Sequence, residues 1–237
     1  MSPDIEPITR ESTAAIIARQ LREAITSGVL EPGKQLGEAE LAAQFQVSRG
    51  PLREAMQRLV SEGLLRSERH RGLFVIELEP ADVYDIYAAR AAIEYAAAVR
   101  IIRSRDTSAV AALEDALAEL EQATTRDDPR AVSDADFRFH EVLVHESGSR
   151  RLVRTARTLF IETRMCLAAL QHHYPDPTQR VAEHARITDA IRRGDEPAAL
   201  SVIEAHMDDA VARLAPGTSL LSGSAPTIGE GGVDISG

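Results

Sequence analysis

The sequence predicts a mainly α-helical protein, in which an N-terminal winged helix-turn-helix precedes a C-terminal antiparallel all-helical bundle of about six helices. Three observations predict this fold class. Apolar residues recur with a helical period along most of the 237 residues. Two short β-prone runs flank a basic, glycine-containing turn near residue 70. After Glu79-Pro80 the pattern is almost wholly helical and is broken only by short polar loops.

Four segments follow from these patterns. We expect a winged domain over residues 8–78, a linker over 79–81 and a helical domain over 82–214. Residues 215–237 are rich in glycine and serine, carry few charges and show no period, so they are predicted to form a disordered tail.

The winged domain should contain three helices and a hairpin. Helical patterns cover residues 8–27 and 38–45. Ser48 is a natural N-cap for a third helix that reaches about residue 62, and the runs on either side of residues 69–72 should pair as two strands. This order of elements is typical of a winged helix-turn-helix.

The helical domain should contain six helices, since loops with Gly, Pro, Asp or Ser separate six periodic segments. Their predicted ranges are Asp82–Arg103, Thr107–Thr125, Arg130–Glu146, Ser149–Gln171, Asp176–Arg193 and Glu196–Leu214. Short loops favour antiparallel neighbours, so the apolar faces should meet in one core.

The net charge of −10 argues at first against a nucleic-acid partner, because phosphate binding requires positive charge. The distribution of charge weakens this objection. Residues 47–73 carry six arginines against three glutamates. A local basic segment is therefore available on an acidic protein.

Several classes of protein are excluded by simple features. No stretch approaches 18 consecutive apolar residues, so no membrane span or membrane partner is expected. The start, Met1–Glu6, lacks the basic and apolar regions of a secretory signal. Cys166 is the single cysteine, which excludes an intrachain disulfide and thiolate metal clusters and favours a reducing cytoplasm.

The start of the third helix is predicted to contact double-stranded DNA. Arg49 and Arg53 lie four residues apart, so both side chains leave the same helix face, and each guanidinium fits the O6 and N7 atoms of guanine. Two such arginines alone are more often a solvated face, but the ordered pattern around them favours DNA. The candidate DNA-contacting residues are Ser48, Arg49, Gly50, Pro51, Arg53, Arg58, His70, Arg71 and Gly72.

At these positions the chain closely resembles the GntR family of bacterial transcription regulators, over roughly residues 10–78. The residues that carry the resemblance are Ile25–Leu36, Glu40-Leu41-Ala42, Val47–Ala55, Leu59, Glu62-Gly63-Leu64 and Arg71-Gly72. It implies a dimeric repressor or activator that binds an inverted-repeat operator and releases it when a small molecule binds the C-terminal domain. Ala39 departs from the family, whose members often carry arginine there, which puts one phosphate or base contact in doubt.

A second constellation lies in the helical domain. Asp136 and His140 are four residues apart on one helix, while His184 and His206 lie among apolar residues of two later helices. If the helices meet, three imidazoles and a carboxylate form a site for Zn, Ni or Mn with open positions for a ligand. The residues alone leave open the alternative that each histidine is a hydrogen-bonded core residue.

A GntR-like winged helix followed by a helical bundle resembles the FadR subfamily, whose effector domain is called FCD. The set Asp136, His140, His184 and His206 matches the metal-binding members of that branch. The resemblance implies a divalent ion, with zinc preferred and nickel or manganese as alternatives, and a small carboxylate effector rather than an acyl-CoA. It also implies an arginine clamp at Arg90, for which the alternative is an intrahelical pair with Glu94; Arg164 is a weaker second candidate.

The predicted function is therefore a cytoplasmic, homodimeric transcription regulator, most simply a repressor, that an organic acid controls from the metal site. Two alternatives remain at this stage. A helical metal-dependent hydrolase would need a general base, for which Asp134, Glu141 or Glu183 are available, but the chain has no recognisable catalytic motif. A DNA-binding protein with a purely structural metal would lack only the response to a ligand.

Overall fold

The computed structural model describes residues 11–126, 128–169, 177–216 and 220. It divides between Glu77 and Leu78 into two compact units. The first contains a winged helix-turn-helix and the second a helical bundle, so the predicted fold class is confirmed. Of the predicted tail, only residues 215, 216 and 220 are described, and the prediction of disorder for the rest lies outside the described residues.

The N-terminal unit consists of three helices and a small antiparallel sheet. Its elements are α1 (Thr13–Thr26), β1 (Gln35–Leu36), α2 (Glu38–Gln44), α3 (Arg49–Ser61), β2 (Leu65–Glu68) and β3 (Gly72–Val75). The strand order is β1-β3-β2. Leu73 of the central strand β3 lies opposite Leu36 of β1 on one side and opposite Ser67 of β2 on the other. The predicted hairpin is therefore present, and β1 adds an edge strand that was not predicted.

The orientation of α3 is fixed by its apolar face. Leu52, Ala55, Met56 and Leu59 are buried at helical spacing, and α1 packs against α3. Arg22 of α1 adds a bidentate ion pair with Glu62, at 2.8 and 2.7 Å. The opposite face of α3 is consequently directed to solvent.

The C-terminal unit is the predicted bundle. Its described helices are α4 (Pro80–Ser104), α5 (Thr107–Thr124), α6 (Pro129–Glu146), α7 (Arg150–Ala169), α8 (Pro177–Arg193) and α9 (Glu196–Leu214). Helix α4 packs against α9, α7 and α6, while α5 packs against α6 and α8. Fully buried residues such as Phe139, Ile187 and Ile203 form the core. Polar residues on the same helix faces therefore also point inward.

The starts of α6, α7 and α8 differ from the predicted ones by one residue, and those of α1 and α4 differ by more. For α1 and α4, capping explains the observed start. Helix α1 begins at Thr13, because the Ser12 side chain accepts a hydrogen bond from the Ala15 amide. Helix α4 begins at Pro80, inside the expected linker, because Glu79 and Asp82 form a reciprocal capping box. Among the described residues, no helix has both the length and the apolar character needed to span a membrane.

Candidate functional site

Three histidines from three helices meet in the core of the bundle. The Nε2 atom of His140 lies 3.2 Å from that of His184 and 3.2 Å from that of His206. All three side chains are buried, and their possible ligand atoms lie within 4.8 Å of one another. The structure therefore brings together three of the four predicted metal ligands.

The outer nitrogen of each ring is held by an oxygen atom. His140 Nδ1 lies 2.7 Å from Glu94 Oε2, His184 Nδ1 lies 2.8 Å from the Arg180 carbonyl oxygen, and His206 Nδ1 lies 2.8 Å from Glu183 Oε2. Since these oxygens accept hydrogen bonds, each Nδ1 carries the proton and donates. Each Nε2 then presents a lone pair to the other two rings.

Electrostatics reinforce this protonation pattern. Burial lowers the pKa of His140 and of His206 below the usual value, and it lowers the pKa of His184 to about 4. Neutral rings with converging lone pairs repel one another at 3.2 Å. A cation between them would remove that repulsion.

The fourth predicted ligand, Asp136, lies at the edge of the cluster. Its Oδ1 atom is 3.4 Å from His184 Nε2 and 3.6 Å from Arg180 Nη1. Burial favours the neutral carboxyl, but Arg180 and the histidines outweigh it and hold the pKa of Asp136 well below its usual value. The carboxylate is therefore ionised and available as an oxygen ligand.

The donor set fits a small divalent ion. Nitrogen ligands at about 2.0–2.1 Å from a tetrahedral zinc ion are about 3.3 Å apart, close to the observed separation. Imidazole nitrogens are suitable ligands for zinc or nickel, and the carboxylate is a suitable ligand for manganese. Hydrogen bonds from the outer ring nitrogens to carboxylate and carbonyl oxygens are the usual support of such ligands.

Glu94 is a supporting residue that the sequence interpretation did not assign to the metal site. It is fully buried and also accepts hydrogen bonds from Arg90 Nε and Nη2, at 3.0 and 2.8 Å. Burial opposes its ionisation, but His140 and Arg90 lower its pKa to about 2. The available signal was an acidic residue four positions after Arg90, within the alanine-rich part of the helix.

A cavity adjoins the histidine cluster. Arg90 lines it, although the same guanidinium forms the intrahelical pair with Glu94 that was the alternative for this residue. The charged residues that line the cavity are Arg90, Arg180, Arg213, Asp136 and Glu183. The sequence analysis did not identify Arg180 and Arg213 as cavity residues. Arg180 lies four residues before His184 and Arg213 lies seven after His206, and these spacings place each arginine on the same helix face as the histidine.

Arg164 is not among the residues that line this cavity. Its Nη1 atom donates to Asp134 Oδ1 at 2.7 Å, and its guanidinium lies 4.3 Å from the centre of the Phe137 ring. The ion pair and the ring contact hold the side chain against α6. Arg180 and Arg213 line the cavity and Arg164 does not, so the structure offers these two arginines rather than Arg164 as cationic groups beside Arg90.

The predicted DNA-contacting residues lie on exposed parts of the N-terminal unit. Ser48 is the N-cap of α3, and Arg49 and Gly50 are exposed in its first turn. Arg53 is 61% exposed, and its Nε atom donates to Glu38 Oε2 of α2 at 2.8 Å. This contact orients the guanidinium and leaves its two terminal nitrogens without a described partner.

The tip of the hairpin is exposed and tightly turned. His70 and Gly72 have φ values of 65° and 102°, in the left-handed region that Gly72 adopts at least cost. The Arg71 side chain is 69% exposed, contacts Glu68 and lies 5.1 Å from the centre of the Phe74 ring. The other two candidates, Pro51 and Arg58, lie on α3, where Arg58 pairs with Glu54.

Comparisons with known proteins match both units. Residues 13–75 match the family described as bacterial regulatory proteins, gntR family, and residues 85–209 match the FCD domain. The chain is 31% identical to the gluconate operon transcriptional repressor of Bacillus licheniformis, over 85% of each chain. It is 35% identical to the Nta operon transcriptional regulator of Aminobacter aminovorans, over 75% of this chain and 84% of that protein.

A solved structure shows the same arrangement of elements. A GntR transcriptional regulator from Rhodococcus sp. RHA1 superposes with a TM-score of 0.74 at 28% identity, covering 88% of this chain and all of that one. The relatives are transcription regulators, and none of those named here is an enzyme. The hydrolase alternative is therefore set aside.

Proposed function

The chain belongs to the gntR family of bacterial regulatory proteins and carries an FCD domain, and from this premise we propose that it is an organic-acid-responsive repressor of the FadR subfamily. In this proposal a homodimer binds an inverted-repeat operator and releases it when a small carboxylate binds beside a divalent ion. The observation that carries the metal part is the convergence of three Nε2 lone pairs whose rings donate outward through Nδ1.

DNA recognition is assigned to α3 and the hairpin tip. Arg49 and Arg53 would reach base edges in the major groove, since both leave the solvent face of a helix whose other face is buried against α1. Ser48 and the amides of the first turn would bind phosphate, because the first amides of a helix lack intrahelical partners. The exposed Arg71 would contact the backbone beside this groove.

Metal binding is assigned to Asp136, His140, His184 and His206, with zinc as the first choice. A bound ion would supply a Lewis-acid position for a carboxylate or hydroxyl oxygen. Glu94 and Glu183 fix the ring orientations of His140 and His206, and Arg90, Arg180 and Arg213 provide cationic groups around the cavity. The cavity is small and lined by charged groups, which suits a small acid.

The names of relatives support the repressor and acid parts of the proposal. One regulates a gluconate operon as a repressor, and gluconate is a hydroxy acid with oxygen atoms suited to both a metal ion and an arginine. Burial lowers the pKa of the Arg213 guanidinium, which pairs with Asp209 and also lines the cavity, so an anion bound in the cavity would stabilise its charged form further.

Arg213→Ala is expected to weaken the response to effector at least tenfold while leaving operator affinity unchanged, since a charge-assisted contact contributes about 1.5–3 kcal/mol. The measurement is fluorescence anisotropy of an operator duplex, titrated with gluconate, lactate and succinate in the presence of zinc. Arg164→Ala is the matched control, because Arg164 contacts Asp134 and does not line the cavity. An equal loss in both variants would contradict the assignment of Arg213, and no release by any acid would contradict the acid-responsive function.

A further inference from the structure

Glu183 is a buried carboxylate that lines the cavity beside the histidine cluster. Its Oε2 atom accepts a hydrogen bond from His206 Nδ1 at 2.8 Å, and its Oε1 atom accepts one from Gln179 Nε2 at 3.3 Å. Because both oxygens accept hydrogen bonds from neutral groups, the carboxyl carries no proton and keeps its negative charge. Oε1 accepts one hydrogen bond in this arrangement and has capacity for a second.

The position of Glu183 assigns it to the outer end of the cavity. His206 lies between Glu183 and the other histidines, since its Nδ1 atom faces Glu183 and its Nε2 atom lies 3.2 Å from His140 Nε2. Gln179, one turn before Glu183 on α8, also lines the cavity and is exposed. A ligand oxygen bound at the histidine cluster and a ligand group beside Glu183 would therefore be different parts of the molecule.

Each of the three described arginines that line the cavity lies beside a carboxylate of this chain. The ion pairs are Arg90 with Glu94, Arg180 with Asp136, and Arg213 with Asp209. Glu183 is a fourth carboxylate, and the groups that donate to it are neutral. Among the described groups around the cavity, four carboxylates thus accompany three arginines, which leaves one excess negative charge.

Two groups that line the cavity can pair only with a hydrogen-bond donor. Thr163 is buried and its hydroxyl donates to the Leu159 carbonyl oxygen at 2.7 Å, so it offers the cavity only its oxygen lone pairs. Glu183 offers the remaining capacity of Oε1. An ionised carboxylate has no hydrogen to donate, whereas a hydroxyl group both donates and accepts. The cavity lining therefore matches hydroxyl groups on the ligand better than a second carboxylate.

We propose that the cavity selects a hydroxy acid with a single carboxylate, and that Glu183 is the residue that excludes a second carboxylate. The inference rests on the proposed function, because the single carboxylate is the group that would bind at the divalent ion. With a divalent ion in place, the excess of one negative charge becomes an excess of one positive charge, which one carboxylate balances. A second carboxylate at the outer end would lie beside Glu183, where like charges repel in a buried site.

The number of carboxylates and the presence of hydroxyl groups are separated by the choice of ligands. Four acids of equal carbon number are compared: threonate has one carboxylate and hydroxyls, tartrate has two and hydroxyls, and butanoate and succinate have one and two without hydroxyls. Gluconate, glucarate, hexanoate and adipate repeat the comparison for a longer chain. Affinity is measured by isothermal titration calorimetry on full-length, zinc-loaded protein without DNA. Threonate or gluconate is expected to bind about tenfold or more tightly than the other members of its set.

Glu183→Gln tests the assigned residue. The variant removes the charge, but the side-chain oxygen of glutamine still accepts from His206 Nδ1 and from a ligand hydroxyl. The preference for threonate over tartrate is therefore expected to fall to about threefold or less, while the preference for threonate over butanoate remains. Elemental analysis should show the same zinc content as in the wild type. Glu141→Gln is the matched control, since Glu141 is exposed on α6 and does not line the cavity, and it should keep both preferences.

Tartrate or succinate bound by the wild type as tightly as threonate would overturn this inference and leave the acid-responsive function standing. So would an unchanged preference for threonate over tartrate in Glu183→Gln protein that retains its zinc. Absence of binding by every acid would instead contradict the proposed function together with this inference. The wild-type ranking does not depend on the variant, so it tests the inference even if the substitution weakens zinc binding.

Discussion

Replacing either Arg49 or Arg53 with alanine is expected to abolish specific operator binding while leaving the melting transition unchanged. A bidentate arginine–guanine contact contributes about 1–3 kcal/mol, and a symmetric dimer makes each contact twice, so each variant should lose about 2–6 kcal/mol. Stability should not change, because Arg53 is 61% exposed and forms a surface ion pair with Glu38, a type that contributes little.

The measurement is a titration of the operator duplex and of a scrambled duplex at a fixed salt concentration. Specific binding should fall toward the level of the scrambled duplex, because each variant removes one base-contacting arginine from both half-sites, whereas the phosphate contacts that remain do not depend on sequence. Arg192→Ala is the matched control, since Arg192 is 57% exposed, lies on α8 and pairs with Asp189. Operator affinity retained in both Arg49→Ala and Arg53→Ala would refute the assignment of α3 as the recognition helix.

The winged fold was predictable because its information is local. The buried set Leu52, Ala55, Met56 and Leu59 repeats at helical spacing, and Ser48 marks the start of α3. Strand β1 was missed because two residues are too few to show a period, and because its pairing with β3 is a contact between distant parts of the chain. The resemblance to the GntR family, which rests on this local order, is confirmed.

The candidate metal site was predictable only in its inner residues. The four-residue spacing of Asp136 and His140 is local, and the apolar neighbours of His184 indicate that it points inward. The carboxylates that hold the outer nitrogens come from other helices: Glu94 lies 46 residues before His140, and Glu183 lies 23 before His206. Neither contact leaves a periodic trace in the sequence.

Arg164 also shows that contacts between helices cannot be predicted from the spacing of residues along the chain. Its position on a helix next to the site made it a reasonable candidate, but its direction is set by a carboxylate and an aromatic ring on α6. The cavity is instead lined by Arg180, on the same helix as His184, and by Arg213, on the same helix as His206. Residues on the same helix face as a ligand were therefore better candidates than residues on a neighbouring helix.

His184→Ala is expected to remove the bound metal, reducing it from about one equivalent per chain to a trace, since a site with one of three imidazoles missing loses most of its affinity. The measurement is elemental mass spectrometry on untagged protein purified without chelator. His145→Ala is the matched control, because His145 is 76% exposed on α6 and lies outside the buried cluster, so that variant should retain its metal. Retention of a full equivalent in His184→Ala would assign the ion to another site.

The thermal stability of the wild type, His184→Ala and His145→Ala gives an independent test of the same site. A ligand present at a thousand times its dissociation constant stabilises the folded state by about 4 kcal/mol, so a chelator should lower the melting temperature of the wild type and of His145→Ala. His184→Ala should melt lower than the wild type and should not respond to chelator, because no metal remains to be removed. A wild type that holds no metal and ignores chelator would return the three histidines to the role of core residues, and it would leave the 3.2 Å contacts between their Nε2 atoms without a cation to balance them. The expected coupling between chelator and melting therefore tests whether the cluster is held together by a metal ion or by protein contacts alone.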